Sequence, residues 1–329
     1  MKKTFNVWIP SIQNFLRFCE LSSHDYSILL KALDDNDIDF SYTLNDIIKN
    51  NLISTFDFST LTTLDRFVIF LALKINSCGS MLVLSSNCPE CSTKSTIEMD
   101  LNILVDNLGE RIDRSFKKTI KENLFTICCD IPSIDQDYKI LEYGALKNIS
   151  KTSIDFLLDN HLVSHIKGIN LGEHVIDMHG LSYEDQIVTA NALPVKVVNA
   201  VRNSFLNDLH SLVSDFDFLK IKCSNKKCAC EMEVKFDISN INDIIKIIYR
   251  DSTYLSLISE MVVVSDGTHL GGDFISNMAP IDVRKLAQQL NSANSAQHKD
   301  SNSSTEQDLF DEYANQTQGM QKSPSEFNN

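Results

Sequence analysis

The chain has 329 residues, 43% of them apolar and 22% charged, which is enough apolar material for a sizeable core and, on length alone, for two domains. Its net charge of −14 at pH 7 disfavours a grip on nucleic-acid phosphates or on an anionic membrane and leaves partner proteins or small ligands as the natural contacts. No run approaches about 18 apolar residues, and no stretch of signal-peptide length precedes Pro10, so neither a membrane span nor export is expected and synthesis is taken as intracellular.

In chain order, Trp8 with Pro10 reads as an anchor of the N-terminus onto the core or a neighbour. Tyr26, Leu29, Leu30 and Leu33 share one helical face over 23–33, which Ser22 or Ser23 can cap. A second short helix is expected over 43–52. Leu61, Leu64, Phe67, Val68, Leu71 and Ile75 recur at helical spacing over 60–75, and Ile69, Phe70 and Leu73 widen the stripe until the helix must be buried. Residues 106–121 read as loop and helix, 124–129 as a strand, 138–141 as a second strand and 153–158 as a helix. The adjacent Cys128 and Cys129 then read as core fillers. Residues 162–169 and 173–178 read as a strand pair around Gly172, and 183–193 as a helix. Pro194 opens a helix with Val198, Val201, Phe205, Leu209 and Leu212 on one face. Residues 240–264 are largely helical, Gly267, Gly271 and Gly272 mark a break, and 280–290 form one more helix. From about Asn291 serine, asparagine and glutamine take over, and a disordered tail is expected, with Phe310 and Tyr313 as its exceptions.

The nine cysteines are odd in number and fit no disulfide framework. Five fall in two clusters, Cys88-Pro89-Glu90-Cys91 and Cys223-Ser224-Asn225-Lys226-Lys227-Cys228-Ala229-Cys230. Met81–Leu84 precedes the first and Phe218–Lys222 the second, while the segments that follow them, Thr96–Leu101 and Met232–Phe236, alternate apolar and polar residues. Each is therefore expected at the tip of a β-hairpin. Structural zinc takes four soft ligands at tetrahedral corners, usually from two short cysteine knuckles, which nominates Cys88, Cys91, Cys223 and Cys228. Cys230 is the rival for the fourth place. Ordinary reduced thiols are the plain alternative, and a redox role for Cys88 and Cys91 would want a thioredoxin-like setting that the preceding helix and strand do not supply. The order helix, strand, knuckle, strand occurs twice, 135 residues apart, as a distant duplication or as a paired device for one ribbon.

No nucleophile, phosphate loop or dinucleotide motif assembles, so no enzyme is expected. His161 and His165 have the i, i+4 spacing of a metal pair but lack the glutamate of a zincin. His174 and His179 have no nameable partner.

The expected fold is α+β and mostly helical, with a split zinc ribbon made of two cysteine-tipped hairpins and a small β-containing insertion. Its expected divisions are 1–78, a helical region; 79–102, the first knuckle hairpin; 103–193, the inserted subdomain; 194–237, a helix with the second knuckle hairpin; 238–290, the C-terminal helices; and 291–329, the polar tail.

Three segments together resemble the T-even-type bacteriophage baseplate hub assembly proteins: Leu64–Lys74 leading into the Cys88–Cys91 hairpin, Asn203–Leu209 leading to Phe218 and the second cluster, and the region around Tyr249, Tyr254 and Met278-Ala279-Pro280. The resemblance spans roughly 8–290, and departs from the family in its C-x4-C-x-C cluster and long polar tail. It implies a non-enzymatic part in building a contractile tail, with hub and tail proteins as partners, in the host cytoplasm during assembly and in the virion baseplate if the protein is retained. The alternative is a zinc-ribbon nucleic-acid or transcription adaptor, for which Lys220, Lys222, Lys226 and Lys227 supply a local basic spot.

Overall fold

A helix as apolar as the one around Phe67 needs cover on nearly every side, and the rest of the chain supplies it. The computed structural model describes residues 2–105, 108, 117–147, 149, 153–214, 220–228, 230–233 and 236–299. Its central element is helix α3 (Thr63–Cys78), opened by a capping box between Thr62 and Asp65 and closed at Gly79, whose φ of +102° suits glycine. Only Val68, Ala72, Ile75 and Asn76 of this helix keep any appreciable exposure.

The N-terminus is a hairpin that the residue patterns above did not reveal: β1 (Thr4–Ile9) pairs antiparallel with β2 (Asn14–Cys19), Val7 opposite Leu16 and Trp8 opposite Phe15. Period-two alternation buries Val7, Ile9, Leu16 and Phe18 and turns Trp8 outward, 46% exposed and edge-on to Phe15 at 5.1 Å. Val7 and Ile9 are therefore the anchors. Trp8, Pro10 and Phe15 instead wall a groove of ≈ 650 Å³ against Val68, Ala72 and Ile75.

Helix α1 (Ser23–Ala32) carries the Ser22–Asp25 capping box. Helix α2 (Asp37–Asn51) starts six residues before the expected 43, because Asn36 caps it by accepting from the Ile38 and Asp39 amides and Phe40 joins its buried face. After α3 come the hairpin β3 (Met81–Asn87) and β4 (Lys94–Asp100), then β5 (Lys118–Glu122) and β6 (Phe125–Cys129). β5 corrects the helical expectation for residues 118–121, and most of 106–116 lies outside the described residues. The expected strand at 138–141 is overturned as well. Those residues lie in α4 (Ile134–Leu146), capped by Ser133, whose buried Ile134, Asp137, Ile140, Leu141 and Gly144 follow helical spacing. A Cβ on Gly144 would come within 2.6 Å of Leu158, so glycine permits the close approach of α4 to α5 (Ser153–Asp159).

Residues 162–165 form a short helix, α6 (Leu162–His165), rather than the start of a strand. β7 (Ile166–Leu171) and β8 (His174–Asp177) follow around Gly172 and complete a four-stranded antiparallel sheet in the order β5-β6-β7-β8. Cys128 and Cys129 are half-buried in it, and burial pushes the Cys129 thiol up to about 12. α7 (Tyr183–Asn191) and α8 (Val195–Leu212) cover this region, and Lys118 of β5 pairs with Asp208 of α8. Pro194 is the cap residue of α8 rather than its first helical residue. A short hairpin, β9 (Lys220–Lys222) and β10 (Glu231–Glu233), precedes α9 (Ile241–Tyr249), α10 (Tyr254–Thr268), α11 (Gly272–Ser276) and α12 (Pro280–Lys299). α12 runs nine residues past Leu290, into the segment expected to be tail. Residues 300–329, with Phe310 and Tyr313, lie outside the described residues. Among the described residues no helix is long and apolar enough to cross a membrane.

One apolar core runs from Val7 to Leu257, and a smaller cluster of Val264, Ile275, Val283 and Ala287 lies between the last helices. These helices are tied back to α3 by a buried ion pair: Lys74 Nζ lies 2.6 Å from Asp251 Oδ1, with 0% and 5% of the two side chains exposed. The ammonium also faces the rings of Tyr26 and Tyr249, and the Tyr249 hydroxyl donates to the Phe70 carbonyl at 2.8 Å. Lys74→Ala strands a buried carboxylate and is expected to cost about 3–5 kcal/mol, whereas Lys74→Met with Asp251→Leu removes both charges and recovers most of that loss. Urea unfolding of the two variants measures the difference.

Candidate metal centre

Two hairpins that are distant in sequence meet at their tips. In the first, the Cys88 amide donates to the Thr93 carbonyl at 3.0 Å and the Ser92 amide to the Cys88 carbonyl at 2.8 Å, folding Cys88–Cys91 into a tight knuckle. Ser92 takes the left-handed backbone (φ 57°) that closes it. In the second, the Cys228 amide donates to the Asn225 carbonyl, the Lys227 amide to the Asn225 side chain, and the Cys223 amide to the Cys230 carbonyl at 2.9 Å. A cross-link joins the two: the Ser224 amide donates to the hydroxyl of Ser95, itself 1% exposed, at 2.9 Å.

The result is a four-thiol cluster. Cys88 Sγ lies 3.6 Å from Cys228 Sγ and Cys91 Sγ 3.5 Å from Cys223 Sγ, and all four sulfurs fall within 4.8 Å of one another. A tetrahedron with metal–sulfur bonds of about 2.3 Å has sulfur–sulfur edges of about 3.8 Å, so the cluster is of the right size to hold one metal ion. Ile221 and Met232 pack beneath it together with Cys88. Cys230 lies in the same apolar cluster but outside the group of four.

The thiols differ in acidity. The Thr93 hydroxyl and amide hold Cys91 down to about 6. The Cys230 amide lowers Cys228, but burial and the three neighbouring thiols outweigh it and push Cys228 up to about 12. Four such sulfurs cannot all ionise at neutral pH unless a cation compensates them. Thr93 and Ser95, which tune and align the cluster, carried no signal in the sequence beyond lying just after the first knuckle.

His161 and His165 belong to a different site, a buried polar network joining five helices. Arg66 donates to Asn242 at 2.9 Å and to Asn45 at 3.3 Å, and lies 3.5 Å from Asp137. Asp137 also accepts from Ser164 at 2.8 Å and pairs with His161 Nδ1 at 2.8 Å, while His161 Nε2 points at Asp37, 3.6 Å away. His165 donates from Nδ1 to the His161 carbonyl and stacks edge-on against Phe205. The two imidazoles therefore do not converge on a metal position. Burial opposes the charge on His161, but Asp137 and Asp37 prevail and raise it to about 9, whereas burial lowers His165 to about 4. Arg66 and Asp137 went unmarked as a pair because 71 residues separate them.

An α+β protein built on one buried helix, with a cluster of four thiols between two distant hairpins, is the class that this structure defines. The chain belongs to the T4 bacteriophage base plate protein family, whose sequence model matches residues 2–246. It is a phage baseplate protein of the T4 type. No curated protein and no solved structure matches it.

The two histidines set a pH optimum for folding. Between pH 6.5 and about 9 the folded chain keeps a proton on His161 that the unfolded chain has released, so stability falls as pH rises. Between about 4 and 6.5 the unfolded chain binds a proton that folded His165 refuses, so stability falls as pH drops. Each contributes a slope of about 1.4 kcal/mol per pH unit over its window. Urea midpoints measured across pH 4–9 should peak near 6.5, and His165→Phe should flatten the acid limb alone.

Proposed function

We propose that the chain is a non-enzymatic structural and assembly subunit of the baseplate hub, acting through contacts with other hub and tail proteins, and that its two cysteine hairpins form a split zinc ribbon. Cys88, Cys91, Cys223 and Cys228 would hold one structural zinc ion. The observation that carries the metal reading is the convergence of four sulfurs within 4.8 Å from knuckles 135 residues apart. Such a set of four thiols, with no histidine, carboxylate or open position, suits a structural ion. The hub assignment rests on the three resembling segments together with the family. In this reading 79–102 and 194–237 are the two arms of the ribbon, and 103–193 is the part inserted between them. Assembly would take place in the host cytoplasm and place the protein in the tail baseplate.

One observation favours nucleic acid instead: Lys220, Lys222, Lys226 and Lys227 are all exposed on the second knuckle. Exposed Glu90, Glu231 and Glu233 offset them, and Lys222 already lies 3.8 Å from Glu231. With a net charge of −14 the balance favours protein partners.

Metal analysis of the reduced, purified protein tests the ribbon. About one zinc per chain is expected, with loss of the metal and a lowered melting temperature in both Cys88→Ser and Cys223→Ser. A parent that carries no metal and melts with the two variants would remove the ribbon. Co-sedimentation with assembling hub complexes tests the partner assignment.

A further inference from the structure

The second knuckle contains three cysteines where two suffice. β9 and β10 pair with Lys222 opposite Glu231, so the next pair outward is Cys223 opposite Cys230, and the Cys223 amide bonded to the Cys230 carbonyl at 2.9 Å confirms that register. Residues directly opposite in an antiparallel pair project their side chains to the same face, with Cβ atoms about 4.5–5.5 Å apart. Alternation puts Cys223 on the face of Ile221, and Cys230 on the face of Met232. Ile221 and Met232 are the buried pair that packs against Cys88. Cys230 is thus aimed at the thiol cluster from the strand beside Cys223. Its own Sγ is turned to the Glu231 carbonyl, 3.8 Å away, while Cys228 fills the fourth corner.

We propose that Cys230 is a reserve metal ligand: when Cys228 is displaced, rotation of the Cys230 side chain brings a fourth sulfur to the same ion. The second knuckle then holds the metal in either of two registers, Cys223 with Cys228 or Cys223 with Cys230, while Cys88 and Cys91 stay fixed. This rests on the zinc reading above. Two observations separate Cys230 from an ordinary structural cysteine: the backbone hydrogen bond that sets it opposite Cys223, and its place in one apolar cluster with the four thiols. By contrast Cys78 is buried in the main core, in a different apolar cluster from the ligand thiols.

The test uses the full chain loaded with zinc, or with cobalt(II), whose thiolate absorption reports the number of sulfur ligands. Cys228→Ala should keep about one metal per chain and the four-sulfur spectrum, and Cys228→Ala with Cys230→Ala should lose the fourth sulfur and bind far more weakly. Alkylation by iodoacetamide gives a second readout: Cys230 should react in the zinc-loaded parent and be protected in zinc-loaded Cys228→Ala. If Cys228→Ala loses metal as completely as the double variant, or if Cys230 is alkylated equally in both loaded proteins, the reserve role is overturned while the four-cysteine site stands. A parent without zinc overturns the ribbon reading itself.

Discussion

Three charges buried along one helix hold the architecture together. Asp65, Arg66 and Lys74 of α3 are each at most 1% exposed, and each finds its partner in a different part of the chain. Asp65 accepts the Ser11 amide of the N-terminal hairpin at 3.1 Å. Arg66 gathers α2, α4 and α9 through Asn45, Asp137 and Asn242. Lys74 reaches Asp251, ahead of the last three helices. Apolar packing supplies the larger share of stabilisation, but it is non-directional, whereas a buried charge tolerates only the arrangement that pairs it. These polar contacts therefore decide which face of α3 meets which neighbour.

The thiol cluster sits at the edge of this frame. α3 ends at Gly79 and leads into the first cysteine hairpin, and α8 precedes the second, so each knuckle projects from a helix anchored in the main core. The long separation in sequence is no obstacle to their meeting. Loop-closure entropy rises only logarithmically, by ~0.6 kcal/mol for each doubling of length, and the segment between the knuckles is folded rather than free. The Ser95–Ser224 hydrogen bond aligns the hairpins through protein contacts alone. The family match ends at residue 246, just before Lys74's partner, yet α10–α12 are bound into the structure by Asp251, by Arg284 donating to Ser252, and by the Met278 carbonyl accepting from Ser23.

Strong local patterns were legible in the sequence. The stripe from Leu61 to Ile75 marked a buried helix, and the two knuckles with the alternating segments that follow them marked hairpins, because each signal lies within a single element. The same logic failed where a segment was short or its cover distant. Tyr138–Leu141 passes for a strand because four residues sample too little of a 3.6-residue period, and Ser133 and Ile134 were needed to disclose the helix. Val7, Ile9, Leu16 and Phe18 did carry a strand period, hidden on either side of the turn after Pro10. That four cysteines meet could be inferred from ligand number and spacing. That Arg66 meets Asp137 and Asn242 could not, since one sequence carries no trace of which polar side chains meet across 71 or 176 positions.

The spacing of α3's partners also sets a timetable. A ribosome adds about 5–20 residues per second, so Lys74 leaves it roughly 9–35 s before Asp251, 177 positions later. Throughout that interval the nascent chain carries a strongly apolar helix whose cation has no buried counter-ion, and Arg66 lacks Asn242 for almost as long. The central helix can settle into its final surroundings only when most of the polypeptide has been made. Truncated products ending before residue 242 would then be the species most exposed to chaperones and proteases, and full-length chains would complete their core in a single late step.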